Sequence, residues 1–158
     1  KLDTWVAPFF MAPINSKNIH RSNALMNHMY GKDFCYNEMW IMGSGDEGKA
    51  AADAVSSANP LSDAPEPGEG PSRESRENGN YDVLFCGDIN EESIHVSVAG
   101  DMDPGYGSTS KMIAESAICL VKECNDLAGG IYTPAPSMGI KLIKRLQDNA
   151  GLTFKIEN

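Results

Sequence analysis

The stretch Gly43-Ser44-Gly45-Asp46-Glu47-Gly48-Lys49-Ala50 satisfies two phosphate-binding patterns at once, so the first question is whether it belongs to a nucleotide-binding fold. It matches the dinucleotide fingerprint G-x-G-x-x-G, and it matches the P-loop G-x-x-x-x-G-K up to its last position. It follows an apolar, strand-like run from Phe34 to Met42 and precedes an alanine-rich, helix-like run from Lys49 to Val55. Taken alone, the stretch predicts a nucleotide-binding protein.

The residues around this stretch argue against a nucleotide. A P-loop needs Ser or Thr after its lysine as a Mg²⁺ ligand, and the residue here is Ala50. Asp46 and Glu47 would place two negative charges beside a pyrophosphate at a helix N-terminus. A Rossmann unit also needs a second strand about 20 residues later, whereas residues 59–68 read Asn-Pro-Leu-Ser-Asp-Ala-Pro-Glu-Pro-Gly. We therefore interpret the stretch as a strand-to-helix turn and expect no cofactor site in this chain.

The composition limits the function further. The chain has 158 residues, 41% hydrophobic and 22% charged, which is typical of one domain spanning residues 1–158. Its net charge of -9 and the lack of a basic cluster argue against a nucleic-acid partner. No apolar run approaches the roughly 20 residues of a transmembrane helix, and no signal-peptide pattern is seen, so we expect a cytoplasmic protein. Four cysteines without C-x-x-C and three scattered histidines predict no metal site.

The pattern along the chain predicts an α+β fold, a largely antiparallel or mixed sheet packed with three to four helices in a single domain. Residues 5–14 read as a buried extended segment, and a helix capped by Asn15 or Ser16 runs to about Tyr30. Residues 34–42 read as a strand, with a continuing helix as the open alternative. Residues 56–80 are rich in proline, glycine and acids, and they predict a long surface loop.

The second half of the chain shows clearer periodicity. Tyr81–Gly87 and Ser93–Gly100 read as an antiparallel hairpin. A long helix capped by Ser108 or Ser110 follows, and its predicted core face comprises Ile113, Ala117, Leu120, Val121, Cys124 and Leu127. A last helix starts at Pro134 and runs to about Asn149, with Met138, Leu142, Ile143 and Leu146 inward. Leu152 to Ile156 reads as a final short strand.

Four blocks of the chain together resemble a known family. They contain Arg21-Ser22-Asn23-Ala24, Pro67-Gly68-Glu69-Gly70-Pro71-Ser72, Asp103-Pro104-Gly105-Tyr106 and Ala150-Gly151-Leu152-Thr153-Phe154. In this order they resemble the C-terminal portion of saccharopine-dehydrogenase-like oxidoreductases, including bacterial trans-acting enoyl reductases. The resemblance covers nearly the whole chain.

The resemblance implies that the chain is the substrate-binding and dimerisation half of an NAD(P)-dependent oxidoreductase. A Rossmann domain upstream would be its missing partner and would hold the nicotinamide. The full-length protein would reduce an enoyl or carbonyl group of a small-molecule or acyl substrate by hydride transfer, and this half alone would be inactive. A homodimer is compatible with the family pattern. The alternative is a stand-alone module, without catalysis, that binds an acyl or lipid-like ligand or drives oligomerisation.

Six residues are candidates for binding a substrate: Asn15, Arg21, Arg73, Arg76, Tyr106 and Lys111. The Tyr106 hydroxyl can donate to a carbonyl oxygen, with Lys111 nearby in sequence to bind an anion. Arginine side chains can hold a carboxylate or phosphate. The structural alternatives are a well-capped loop around Tyr106, an exposed helix face at Asn15 and Arg21, and surface ion pairs for the two loop arginines.

Overall fold

A computed structural model of the chain describes residues 2–58, 68–90 and 92–157. The chain divides into two compact units, Lys1–Ala64 (unit 1) and Pro65–Asn158 (unit 2). The described residues form five helices and two small antiparallel sheets, which confirms the predicted α+β class. None of the described helices combines the length and the apolar character needed to cross a membrane.

Unit 1 is a two-stranded ribbon with two helices. Strand β1 (Trp5–Pro8) pairs antiparallel with β2 (Met39–Gly43), and the helices are α1 (Ala12–Leu25) and α2 (Gly45–Ser57). The predicted strand-to-helix turn is confirmed, because β2 ends at Gly43 and α2 begins at Gly45. A Cβ at Gly48 would lie 2.1 Å from the Gly43 carbonyl oxygen, so the glycine pattern serves close packing of the helix on the strand.

Helix α1 differs from the prediction at both ends. It begins at Ala12 rather than near Asn15, because Pro13 occupies its first turn, where a missing N–H costs nothing. It ends at Leu25 rather than near Tyr30. The Asn23 amide closes the following turn: its Nδ2 donates to the Gly31 carbonyl at 2.8 Å, and its Oδ1 accepts from the Tyr30 N–H at 2.9 Å.

The predicted strand over residues 34–42 is correct only for its second half. Residues 34–38 form no regular structure, and β2 starts at Met39. The Phe34 ring packs instead in an aromatic cluster, with ring centroids 5.3 Å from Tyr30 and 6.4 Å from Tyr36. Apolar side chains in this segment therefore pack as a loop cluster and not as one face of a strand.

Unit 2 is a three-stranded sheet with three helices. The strands are β3 (Tyr81–Ile89), β4 (Glu92–Gly100) and β5 (Leu152–Glu157), antiparallel in the order β3-β4-β5. The helices are α3 (Arg73–Asn78), α4 (Gly107–Glu123) and α5 (Pro134–Asn149). The predicted hairpin and final strand are confirmed, and the last helix has the predicted bounds but is kinked at Gly139, where φ is 50°. The core consists of buried Leu146, Ala150 and Leu152 with partly buried neighbours, which are Val98, Met112, Leu142 and Phe154.

The predicted surface loop over residues 56–80 contains regular structure at both ends. Helix α2 continues through Ser57, and α3 occupies residues 73–78. The Ser72 hydroxyl caps α3 by accepting from the Ser75 N–H at 3.1 Å. Residues 59–67, the middle of the predicted loop, lie outside the described residues.

The predicted core face of α4 is wrong for its first four members, Ile113, Ala117, Leu120 and Val121, which are exposed. Ile113 and Val121 are 68% and 76% exposed. The packed face carries Ser108 and Cys119, both fully buried, and Glu115, whose carboxylate pairs with Arg145 of α5 at 2.6 Å. Polar residues take the inner face because partners on neighbouring elements satisfy them.

Candidate functional site

The Asp101–Lys111 loop joins β4 to α4 and is organised around one carboxylate. Oδ1 of Asp103 accepts from the backbone N–H groups of Gly105 at 3.1 Å and Tyr106 at 3.0 Å. Its Oδ2 accepts from the Gly107 N–H at 2.5 Å. Three consecutive amides at a helix start thus surround one negative charge, which is favourable for both. Asp103 fills the capping role that the sequence assigned to Ser108 or Ser110.

Helix α3 is tied to this loop through the same residue. The Asp103 N–H donates to the Arg76 carbonyl at 3.1 Å, and the Arg76 guanidinium donates from Nη1 to the Pro71 carbonyl at 2.8 Å. A Cβ at Gly107 would lie 2.7 Å from Asp103 Oδ2 and 3.0 Å from the Arg76 carbonyl oxygen. The junction between α3 and the loop is therefore closely packed.

The electrostatics of the junction favour an ionised Asp103. Burial by itself raises the pKa of this carboxyl group. The hydrogen bonds from Gly107, Tyr106 and Gly105 and the positive charge of Arg76 outweigh burial and hold the pKa below its usual value. The carboxylate is thus a stable acceptor at neutral pH.

Tyr106 is the exposed member of this arrangement. Its side chain is 54% exposed, and a Cβ at Gly70 would lie 3.8 Å from the ring. Its backbone N–H is bound by Asp103, and its carbonyl accepts from the Ser110 N–H at 2.9 Å. The Tyr106 hydroxyl makes no hydrogen bond to the described part of the chain. A fixed backbone therefore presents a hydroxyl that is open to an external acceptor.

The three predicted cations of unit 2 have different surroundings. Lys111 Nζ lies 2.5 Å from Asp101 Oδ1, so its charge is paired with the first residue of the loop. Arg73 Nε lies 2.7 Å from Glu77 Oε1 in an exposed pair, a kind of contact that contributes little stability. Arg76 is half-buried beside Asp103. The structure thus places Arg76 and Tyr106 at the junction around Asp103 and pairs Lys111 with Asp101 at the start of the loop. Arg73 lies one helical turn from Arg76.

The two candidate substrate-binding residues of unit 1, Asn15 and Arg21, have different surroundings. Asn15 Nδ2 donates to Glu38 Oε2 at 2.9 Å, and the Tyr36 hydroxyl donates to Glu38 Oε1 in a short hydrogen bond. Burial, followed by this bond to Glu38 and its negative charge, raises the pKa of the Tyr36 hydroxyl. Arg21 is exposed and makes no ion pair with the described residues of its unit. Asn15 thus belongs to a small polar cluster, and Arg21 does not.

Sequence reasoning missed Asp103, Tyr36 and Glu38. A signal for Asp103 exists: an aspartate lies three residues before the N-cap Tyr106, with Pro104-Gly105 between them, where its carboxylate can fold back onto the first amides. Glu38 has no such signal, because its partner Asn15 lies 23 residues away in the chain.

Side chains of the Gly43–Lys49 turn are engaged within unit 1. Lys49 Nζ is paired with Asp53 Oδ2 at 2.7 Å and lies 5.6 Å from the centre of the Trp5 ring. Asp46 and Glu47 occupy the first turn of α2. A cleft of about 300 Å³ beside the turn is lined by Leu2, Asp3, Thr4, Trp5, Ser44 and Gly45, a set without a positive side chain. Over residues 2–58, 68–90 and 92–157, no group of three or more metal-ligating side chains is placed to hold an ion.

Comparison with known proteins adds information that the geometry cannot give. A protein of Mycobacterium tuberculosis, provisionally named a trans-acting enoyl reductase, is 33% identical over 90% of this chain. Proteins named trans-acting enoyl reductase in Mycobacterium bovis and Mycobacterium ulcerans are 31% and 30% identical over the same share. The chain spans 39% of the length of each. No protein-family model and no solved structure matches the chain.

Proposed function

We propose that this chain is the substrate-binding part of a longer, saccharopine-dehydrogenase-like reductase that uses NAD(P)H to reduce an enoyl or carbonyl group. The relatives named trans-acting enoyl reductase support the reaction class, since the similarity runs over 90% of this chain. The share of 39% of their length supports a second region outside this chain. We assign the nicotinamide to a Rossmann domain in that region, because the residues around Lys49 do not fit a dinucleotide.

The observation that carries the proposal is the exposed hydroxyl of Tyr106 on a loop held by Asp103. Negative charge gathers on the carbonyl oxygen when an enoyl thioester or a ketone is reduced, and a hydrogen-bond donor placed there in advance stabilises it. The reduction itself is the chemistry of the nicotinamide. The role left to this chain is to bind the substrate and to hold its carbonyl oxygen against the Tyr106 hydroxyl.

The arginines of α3 suit the rest of such a substrate. Arg73 is exposed in a solvent-screened pair with Glu77, and Arg76 lies beside the tyrosine loop with its charge facing Asp103, so an anionic group of a ligand bound at Tyr106 would have to replace Glu77 as the partner of Arg73. A guanidinium binds a carboxylate or phosphate in two-point geometry. We therefore propose an acyl substrate that carries an anionic group beyond its carbonyl.

Binding of a short enoyl thioester, such as crotonyl-N-acetylcysteamine, tests the assignment of Tyr106. Tyr106→Phe removes one neutral hydrogen bond, so we expect a dissociation constant about 3- to 10-fold higher by NMR titration. Tyr132→Phe, at a half-buried tyrosine of the same unit, is the matched control and should bind as the unaltered chain does. Equal affinity in Tyr106→Phe, or no binding by the unaltered chain, would contradict the proposal.

A second candidate function is an oligomerisation or acyl-binding module without catalysis. The exposed apolar stripe of α4 favours it, since Ile113 and Val121 are mostly exposed and a groove of about 250 Å³ lies beside Ala117 and Lys122. Large exposed apolar patches are typical of interfaces between proteins. On this second hypothesis, Tyr106→Phe leaves the dissociation constant of the ligand unchanged. The substitution therefore distinguishes the two proposed functions.

A further inference from the structure

We propose that Asp103 is a positioning residue that sets the direction of the Tyr106 side chain and couples it to the arginine-bearing helix α3. The proposal rests on the proposed role of Tyr106 in binding a carbonyl oxygen. The Asp103 carboxylate is engaged by the amides of its own loop, and Asp103 is not offered as a group that touches substrate. It acts through the backbone on either side of Tyr106.

Several backbone hydrogen bonds around Tyr106 converge on Asp103. The carboxylate binds the amides of Gly105, Tyr106 and Gly107 at 2.5–3.1 Å. The Asp103 carbonyl accepts from the Ser108 N–H at 2.9 Å. The backbone of Tyr106 is thus held before, at and after the residue, which leaves its side chain only rotation about its own bonds.

No other side chain of the described residues caps the start of α4. Tyr106 is the N-cap residue of α4, and its aromatic side chain makes no capping hydrogen bond. Its φ and ψ of -130° and -47° lie outside the extended geometry usual at that position. Hydrogen bonds to an ionised acceptor are about twice as strong as neutral ones, so Asp103 can hold this conformation alone.

Asp103 also connects the loop to α3. The Asp103 N–H binds the Arg76 carbonyl at 3.1 Å, and the Arg76 charge faces the carboxylate. Asp101, the other acid of the loop, is engaged by Lys111. Movement of α3 is therefore transmitted through Asp103 to the backbone of Tyr106, which keeps its spacing from α3.

The test needs no ligand, so its outcome is separate from that of the proposed function. Asp103→Asn keeps the shape but leaves one carbonyl oxygen for three amides. In the ¹⁵N-labelled chain we expect amide hydrogen exchange at Tyr106 and Gly107 to become at least about tenfold faster. We also expect loss of the nuclear Overhauser effect between the Tyr106 ring and the Gly70 α-protons. The control Asp82→Asn, at an exposed acid of β3, should change neither.

The two readouts distinguish positioning from simple capping. Faster exchange with an unchanged contact between Tyr106 and Gly70 would mean that Asp103 only caps α4, and would overturn the proposal. Unchanged exchange would overturn it as well. If Asp103→Asn does not fold, an acid titration of the unaltered chain takes its place. The amide shifts of residues 105–107 should then move together, and the ring contact should be lost in the same step; independent changes would contradict the coupling.

Discussion

At the scale of single residues, the charge on Asp103 has a consequence for stability. Its pKa is lower in the folded chain than the usual 3.8, because three amides and Arg76 outweigh the effect of burial. A carboxyl group of this kind stabilises the fold fully at pH values above its unfolded pKa, and the contribution is lost as the pH falls through the folded pKa. The stabilisation is therefore present at neutral pH.

The lowered pKa of Asp103 gives a prediction for urea unfolding. At pH 7, Asp103→Asn should unfold at a lower urea concentration than the unaltered chain. The difference between their midpoints should shrink as the pH is lowered below 3.8, because the unaltered chain then loses the charge as well. Asp82→Asn should show no such convergence. A difference that stays constant or widens in acid would show that Asp103 stabilises the fold by packing and not by charge.

The candidate site could be predicted from the sequence only in part. The motif Asp103-Pro104-Gly105-Tyr106 predicted a role for Tyr106, and the structure exposes its side chain. Lys111 was predicted to bind an anion, but its ammonium group is paired with Asp101. The contact between Asp103 and Arg76 could not be predicted, because it joins residues 27 apart whose spacing follows no helix or strand period.

At the scale of elements, the two long helices differ in how well periodicity describes them. The inward face of α5 is confirmed at Met138 and Leu146, each 7% exposed, because that helix packs with apolar side chains. The packed face of α4 carries Ser108, bound to the Tyr81 hydroxyl at 2.9 Å, and Glu115, bound to Arg145. A prediction from periodicity considers only apolar residues, so it assigned the exposed stripe of α4 to the core.

Helix α5 offers a paired test of its two faces. Leu146→Ala removes a buried side chain from the core and should lower the free energy of unfolding by about 2–5 kcal/mol. Ile140→Ala, on the same helix at 74% exposure, should change it by less than about 1 kcal/mol. Both values come from urea unfolding followed by circular dichroism. Equal effects of the two substitutions would mean that α5 packs with a different face.

At the scale of the whole molecule, the sequence predicted the α+β class because the hairpin, the last helix and the final strand are local patterns. The G-x-G-x-x-G pattern forms a strand-to-helix turn in which Gly48 packs on Gly43, and acids occupy the first turn of α2. No local pattern shows how long the functional protein is. A region outside this chain is inferred from the family resemblance and from relatives of which this chain spans 39%.

The central claim is that this chain binds substrate while the nicotinamide is bound elsewhere in a longer protein. Calorimetric titration of the 158-residue chain with NADPH tests it most directly. We predict no saturable heat up to about 1 mM ligand, which means binding no stronger than about 4 kcal/mol. A saturable isotherm with a dissociation constant near 1 μM, about 8 kcal/mol, would contradict the claim and return the Gly43–Lys49 turn to the role of a nucleotide site.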